Sequence, residues 1–126
     1  MESFVREKTK STPWINFDPN QNFLEIKGES YPEDSAKFYS PMLEWLEEFL
    51  RQATQSIQVD IELVYFNSSS SKILMNFFDL LEDTAQRGIH ISVNWKYNKD
   101  NDIALECGEE FQEDLEHVVF HLIQVD

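Results

Sequence analysis

The sequence predicts an α/β domain built on a mixed sheet of about five strands with about three helices. Alternating apolar residues mark the strands, most clearly from Ile57 to Phe66. Apolar residues spaced three and four apart mark helices between the later strands, and connections of that length join parallel strands. Two alternating segments near the start are separated by turn-forming residues, which predicts an N-terminal antiparallel hairpin.

The opening of the chain, residues 1–10, is predicted to be a flexible leader because it is polar and mixed in charge. A single domain is expected over residues 11–126, since 126 residues suit one domain of ordinary size. The hairpin strands are expected at Thr12–Phe17 and Phe23–Gly28, joined by the turn formers of residues 18–22.

The first helix is expected to begin at Pro41 after a Ser40 cap, because proline suits the first helical position and not the interior. Its predicted inner face comprises Met42, Trp45, Leu46, Phe49 and Leu50. The central strand follows, and one side of it is predicted to carry Ile57, Val59, Ile61, Leu63 and Tyr65.

A second amphipathic helix is predicted from Ile73, and Gly88 is expected to end it. The remaining elements alternate strand, helix and strand, at Ile89–Tyr97, Ile103–Leu115 and Val118–Val125. This order predicts that the later strands run parallel.

Composition excludes several kinds of partner. The 24 acidic and 10 basic residues give a formal net charge of -14, so binding to nucleic acid is not expected. No apolar stretch approaches the roughly 18 residues of a membrane helix, and no signal segment opens the chain. We therefore expect no membrane insertion and a cytoplasmic location. The single Cys107 agrees with a reducing compartment, and neither a metal site nor a cofactor is expected.

Four consecutive serines, residues 68–71, lie between the central strand and the second helix. One serine hydroxyl is enough to cap a helix, so capping alone leaves hydroxyls to spare. A helix N-terminus also favours an added anion through its dipole and its free N–H groups. The run is therefore interpreted as a phosphoacceptor site, with simple capping as the alternative.

Ser69 and Lys72 match the S-x-x-K pattern, in which a lysine one turn along a helix deprotonates a serine nucleophile. Enzymes of that kind need further serine- and lysine-bearing segments and a second domain, which this sequence lacks. A serine hydrolase is thus a remote alternative, and Lys72 is otherwise a solvated residue of the first helical turn. We expect the protein not to be an enzyme.

Several segments together resemble the SiaC family of bacterial regulatory phosphoproteins. In chain order they are Thr12-Pro13, Phe17-Asp18-Pro19, Leu24 to Glu33, Phe38-Tyr39 with Pro41, Trp45-Leu46, Tyr65 to Ser70, Val93-Asn94-Trp95 and Gly108 to Phe111. More distantly, a strand that ends in a phosphorylatable serine at a helix start resembles STAS domains of the anti-sigma-factor antagonist type. The resemblance implies a single STAS-like domain.

The resemblance also implies a switch. Members of the SiaC family are phosphorylated by a dedicated serine/threonine kinase and dephosphorylated by a PP2C-type phosphatase, and the unmodified form activates a diguanylate cyclase in biofilm control. The matching acceptor is Ser68, where the family's best-known member has threonine, and Ser69 and Ser70 are alternative acceptors. Partner contacts are expected from Asn67, Ser69, Ser70 and Lys72. The alternative function is that of an anti-sigma-factor antagonist.

Overall fold

The computed structural model describes residues 1–126 and contains a six-stranded sheet with three helices. In chain order the elements are β1 (Phe4–Arg6), β2 (Trp14–Asp18), β3 (Phe23–Ser30), α1 (Ser35–Gln52), β4 (Ile57–Phe66), α2 (Ser68–Gln86), β5 (Ile91–Asn98), α3 (Asp102–Asp114) and β6 (Val119–Val125). The predicted mixed α/β fold is confirmed, with one strand more than expected.

The strands lie side by side in chain order, from β1 to β6. The first three pair antiparallel, and β3 to β6 pair parallel, so the predicted hairpin and parallel strands are both present. Each parallel connection moves one strand further in the same direction. Because such connections are right-handed, all three helices lie on one face of the sheet.

The opposite face of the sheet is polar and open. Its side chains alternate with the core residues along each strand, and they include Glu25, Lys27, Asp60, Asn94 and Lys96. Lys96 Nζ lies 3.2 Å from Asp60 Oδ2, and Asn94 Nδ2 donates to Asp60 Oδ1 at 3.1 Å. The hydrophobic core therefore lies between the sheet and the helices only.

Aromatic side chains fill that core. Phe77 of α2 contacts Phe17 of β2, with ring centroids 6.2 Å apart. Trp95 of β5 contacts Phe111 of α3 at 5.5 Å and donates its Nε1–H to the carbonyl of Ala104. Gly108 leaves room for this indole, since a Cβ there would lie 2.5 Å from Trp95 Cδ1. These contacts seat α3 directly on β5.

The expected leader over residues 1–10 is wrong where the chain forms β1. Phe4 to Arg6 pair with Ile15 to Phe17 of β2, and Phe4 is buried. The Trp45 Nε1–H donates to the Glu2 carbonyl at 2.8 Å, which ties the segment to α1 as well. Backbone pairing and one buried ring thus attach this polar segment to the domain.

Helix α1 begins at Ser35 and not at Pro41. Asp34 caps it by accepting a hydrogen bond from the backbone N–H of Lys37 at 3.0 Å, and Pro41 lies inside the helix. Proline removes one helical hydrogen bond, but Tyr39 and Met42 on either side of it are buried in the core. Packing therefore outweighs the lost bond. Of the predicted inner face, all residues except the half-buried Trp45 are buried.

Strand β4 has the predicted bounds, but a bulge changes the direction of its last side chains. Gly28 pairs with Leu63 and the next residue of β3 pairs with Tyr65, so Val64 is an extra residue in β4. After the bulge Phe66 faces the core, 6.0 Å from the ring of Trp95, while Tyr65 is 53% exposed. The prediction that Tyr65 lies on the same side of the strand as Ile57 and Leu63 is therefore wrong.

The other end of α2 is tied to the loop between α3 and β6. Glu82 Oε1 accepts backbone N–H groups from Glu116, His117 and Val118 at 3.0 to 3.2 Å, and Glu82 Oε2 lies 2.7 Å from His117 Nδ1. Burial raises the pKa of the Glu82 carboxyl, but the hydrogen bonds from His117 and Val118 outweigh it and leave this pKa below its ordinary value. Gly88, with φ of 102°, follows the end of α2 as predicted.

Candidate functional site

The carboxyl ends of the parallel strands gather the polar residues singled out from the sequence. Ser30 ends β3 and Asn67 follows β4, and the Asn67 N–H donates to the Ser30 carbonyl at 3.0 Å. Helix α1 starts close by, because Ser35 contacts Ser69 of α2. This edge is where open α/β sheets usually carry their functional groups.

Asn67, not a serine, caps helix α2. Its side-chain Oδ1 accepts from the backbone N–H of Ser70 at 2.9 Å, and its carbonyl accepts from the N–H of Ser71 at 3.0 Å. The helix begins at Ser68, five residues before the predicted Ile73. The serines therefore form the first helical turn, and their hydroxyls are not needed to cap it.

Ser70 is part of a buried hydroxyl network that sequence analysis missed. Its Oγ lies 2.7 Å from Ser30 Oγ and donates to the Ser30 carbonyl at 3.0 Å, and Ser30 Oγ also contacts the Tyr39 hydroxyl at 2.5 Å. Burial raises the pKa of Tyr39 to about 12, although the hydrogen bond with Ser30 lowers it in part. Ser70 is only 1% exposed, so the predictions that it accepts phosphate or touches a partner are wrong for this conformation.

Ser69 points sideways, toward helix α1. Its Oγ lies 2.7 Å from Ser35 Oγ and donates to Asn67 Oδ1 at 3.1 Å. Its hydroxyl proton is therefore directed to an amide oxygen and not to Lys72. The Ser69–Lys72 pair of the hydrolase interpretation is not formed.

Ser68 and Ser69 are the exposed serines of the run. Of these two, only Ser68 lines a depression in the surface. As the first residue of α2 it lies at the rim of a depression of about 360 Å³, lined by Phe66, Asn67, Ser68, Ser71, Lys72, Ile103 and Cys107. Unlike Ser69 and Ser70, it has no side-chain hydrogen bond within the protein. A kinase can reach this hydroxyl without opening the fold.

Several large apolar side chains are exposed in the three elements that contribute residues to the depression. Ile103 is 73% exposed at the start of α3, and Val64 and Tyr65 are more than half exposed at the end of β4. Met75 is half exposed two turns along α2 from Ser68. Of these four residues Ile103 lines the depression, so it adds an apolar side chain to the surface beside Ser68.

Cys107 lines the same depression, but it is not a reactive nucleophile. Burial raises the pKa of its thiol, and the carboxylates of Glu110 and Glu106 raise it further. The thiol therefore stays protonated at neutral pH, where only the thiolate attacks well.

The fold and this site are those of a small regulatory binding protein, with an exposed serine at the rim of a surface that is partly apolar. Residues 6–125 match the sequence model described as SiaC family regulatory phosphoprotein. The chain belongs to this family. A protein of Pseudomonas aeruginosa (strain UCBPP-PA14), itself uncharacterized, is 39% identical over 106 residues, which is 84% of either chain.

Solved structures agree with this assignment. SiaC of Pseudomonas aeruginosa superposes with a TM-score of 0.92 at 34% identity, over 99% of this chain and 100% of that one. A chain in the crystal structure of the diguanylate cyclase SiaD in complex with its activator SiaC gives a TM-score of 0.91 at 34% identity, over 97% and 99%. No helix of this protein combines the length and the apolar character needed to cross a bilayer.

Proposed function

We propose that this protein is a cytoplasmic activator of a diguanylate cyclase that is switched off by phosphorylation of Ser68. The unmodified form binds and activates the cyclase. A serine/threonine kinase adds the phosphate and a PP2C-type phosphatase removes it. The observation that carries the proposal is the exposed hydroxyl of Ser68 at the rim of the depression, in a chain of the SiaC family.

The class of partner is supported by the related complex. The SiaC of Pseudomonas aeruginosa that forms a complex with the diguanylate cyclase SiaD is named there as its activator. The similarity extends over 97% of this chain, which supports a partner of the same class.

Phosphorylation requires only that a kinase reach the Ser68 hydroxyl. The Ser68 Oγ–P bond forms, the bond from the γ-phosphorus of ATP to its bridging oxygen breaks, and ADP leaves with that electron pair. The hydroxyl proton passes to a base of the kinase. The N-terminal turn of α2 then stabilises the added negative charge, so the helix stays folded.

The phosphate acts locally. It adds about 1.5 to 2 negative charges, which is small beside the net charge of -14. At the rim of the depression, however, it occupies space that a partner would cover, and it must be desolvated on binding. A loss of about 3 to 4 kcal/mol in binding free energy lowers affinity a hundred- to a thousand-fold.

The test uses protein with phosphoserine placed at position 68 by genetic encoding, so that no kinase is needed. Unmodified and phosphorylated protein are immobilised and used to capture partners from cytosol of the source organism. We expect a diguanylate cyclase on the unmodified protein only, and we expect that protein to increase conversion of GTP to cyclic di-GMP by the purified cyclase.

Phosphoserine at the exposed Ser56, at the opposite end of β4, is the matched control and should leave binding unchanged. Equal recovery of the cyclase on both forms of position 68 would overturn the proposal. Recovery of an anti-sigma kinase instead would establish the anti-sigma-factor antagonist. A second test supplies the cognate kinase with ATP, where Ser68→Ala should abolish labelling and Ser69→Ala should not.

A further inference from the structure

We propose that Lys72 pairs with the phosphate once Ser68 is phosphorylated, so that the modification lies along α2 and neutralises the one positively charged side chain that lines the depression. The inference rests on the proposed function in taking Ser68 as the acceptor. It concerns how the phosphate is held and what surface it leaves to a partner.

The spacing of the two residues brings their side chains together. Ser68 is the first residue of α2 and Lys72 is the fifth, and both line the same depression. Side chains four residues apart on a helix are neighbours, with about 5 to 6 Å between their Cβ atoms. The lysine side chain is long enough to bring its ammonium group to a phosphate on Ser68.

Lys72 has no competing partner. The ion pairs of the protein are Arg51 with Glu48, Lys96 with Asp60, and His117 with Glu82, and none includes Lys72. No carboxylate lines the depression, although the chain has 24 acidic and 10 basic residues. Lys72 is the one charged side chain among the residues that line it, and the carboxylates of Glu106 and Glu110 lie near enough to raise the pKa of the Cys107 thiol.

The neighbouring serines do not offer the same pairing. The Ser69 hydroxyl would have to leave both Ser35 and Asn67, and Ser70 is buried. Phosphorylation at Ser68 breaks no existing hydrogen bond of that side chain and gives Lys72 a dianion. Phosphorylation therefore fills part of the depression and places negative charge beside its one lysine, while α2 stays folded.

The phosphate itself reports the pairing. In protein with genetically encoded phosphoserine at position 68, a ³¹P NMR titration gives the second pKa of the phosphate, which is ordinarily about 6. A paired ammonium group lowers that pKa, so we expect Lys72→Gln to raise it by at least about 0.3 units and Lys72→Arg to leave it low. Lys37→Gln, at an exposed position of α1, is the matched control and should change nothing.

An equal phosphate pKa in the Lys72→Gln and unsubstituted proteins overturns the pairing. The outcome is separate from that of the proposed function, because the same samples are tested for capture of the cyclase. A phosphorylated protein that still binds the cyclase contradicts the switch and leaves the titration valid. Loss of binding with an unchanged phosphate pKa contradicts the role of Lys72 alone.

Discussion

Helix α2 is anchored near both of its ends by polar side chains, but the two anchors differ in charge. At its start the hydroxyls of Ser30, Tyr39 and Ser70 form a buried neutral network. Toward its end the carboxylate of Glu82 receives three backbone N–H groups and contacts His117. Neutral hydroxyls fix the first turn without placing a carboxylate beside Ser68, so this anchor does not repel a phosphate added there.

The largest expected effect comes from placing a charge in the neutral anchor. Ser70→Asp buries a carboxylate beside Ser30 and Tyr39, and we expect a loss of at least about 3 kcal/mol in the free energy of unfolding. Ser68→Asp, two residues away at an exposed position, should change stability by less than about 0.5 kcal/mol. Urea unfolding at pH 7, followed by tryptophan fluorescence, measures both. Similar losses of unfolding free energy in the two variants would contradict the difference between the buried Ser70 and the exposed Ser68.

The charged anchor should make stability depend on pH. Because the pKa of Glu82 is lowered in the folded protein, its contribution is present above the ordinary glutamate pKa and is lost as pH falls through the lower folded value. Glu82→Gln should cost about 1 to 2 kcal/mol at pH 7. The difference from the unsubstituted protein should shrink below about pH 4. Unfolding curves between pH 3 and 7 measure this difference in unfolding free energy. Asp83→Asn, at an exposed neighbouring position, is the control. A constant difference would refute a role for the charge.

The neutral anchor should respond to alkali instead. Tyr39→Phe removes one hydroxyl of the network and should cost about 1 kcal/mol between pH 4 and 9. The folded pKa of Tyr39, about 12, lies above that of a free tyrosine. The neutral hydroxyl therefore contributes fully below about pH 10, and its contribution is lost as pH rises through the folded value. Unfolding at pH 9 and 11 should show a smaller gap between the two proteins at pH 11. A difference in unfolding free energy that grows between pH 9 and pH 11 would contradict this prediction.

The smallest effect is expected at Ser68, the proposed phosphoacceptor. Ser68→Ala removes an exposed hydroxyl without a partner, while Asn67 still caps the helix, so the free energy of unfolding should change by at most about 0.5 kcal/mol. Asn67→Ala is the comparison and should cost about 1 kcal/mol. The same urea experiment serves here. If Ser68→Ala cost as much as the loss of the cap, Ser68 would be part of the structural anchor.

Local periodicity in the sequence predicted the parallel strands and the ends of several elements. Strand β4 has both predicted bounds, and Gly88 follows α2 as expected, because both depend on neighbouring residues. Strand β1 could not be predicted in this way. It has three residues, of which only Phe4 is buried, so it shows no period. Its position depends on pairing with β2, which local patterns do not reveal.

The sequence indicated where the candidate site lies, but it did not indicate the buried hydroxyl network beneath that site. The run of serines and the resemblance led to Ser68, whereas the roles of the other serines depend on partners far away in the chain, such as Ser30, which is 40 residues from Ser70. The capping role of Asn67 could have been predicted, because asparagine directly before a helix is a common N-cap. Tyr65 was misplaced because alternation continues only until a bulge, and an extra residue such as Val64 is recognised from pairing with β3.

The strand order bears on how this chain reaches its native state. Each strand hydrogen-bonds to the one synthesised just before it, so no strand has to be inserted between two others that are already paired. The sheet can grow at a single edge as the polypeptide leaves the ribosome, amino end first. Helix α2 reaches its place only after β3 and α1 are present to receive Ser70. Ser68 thus reaches its exposed position once the first half of the protein has assembled.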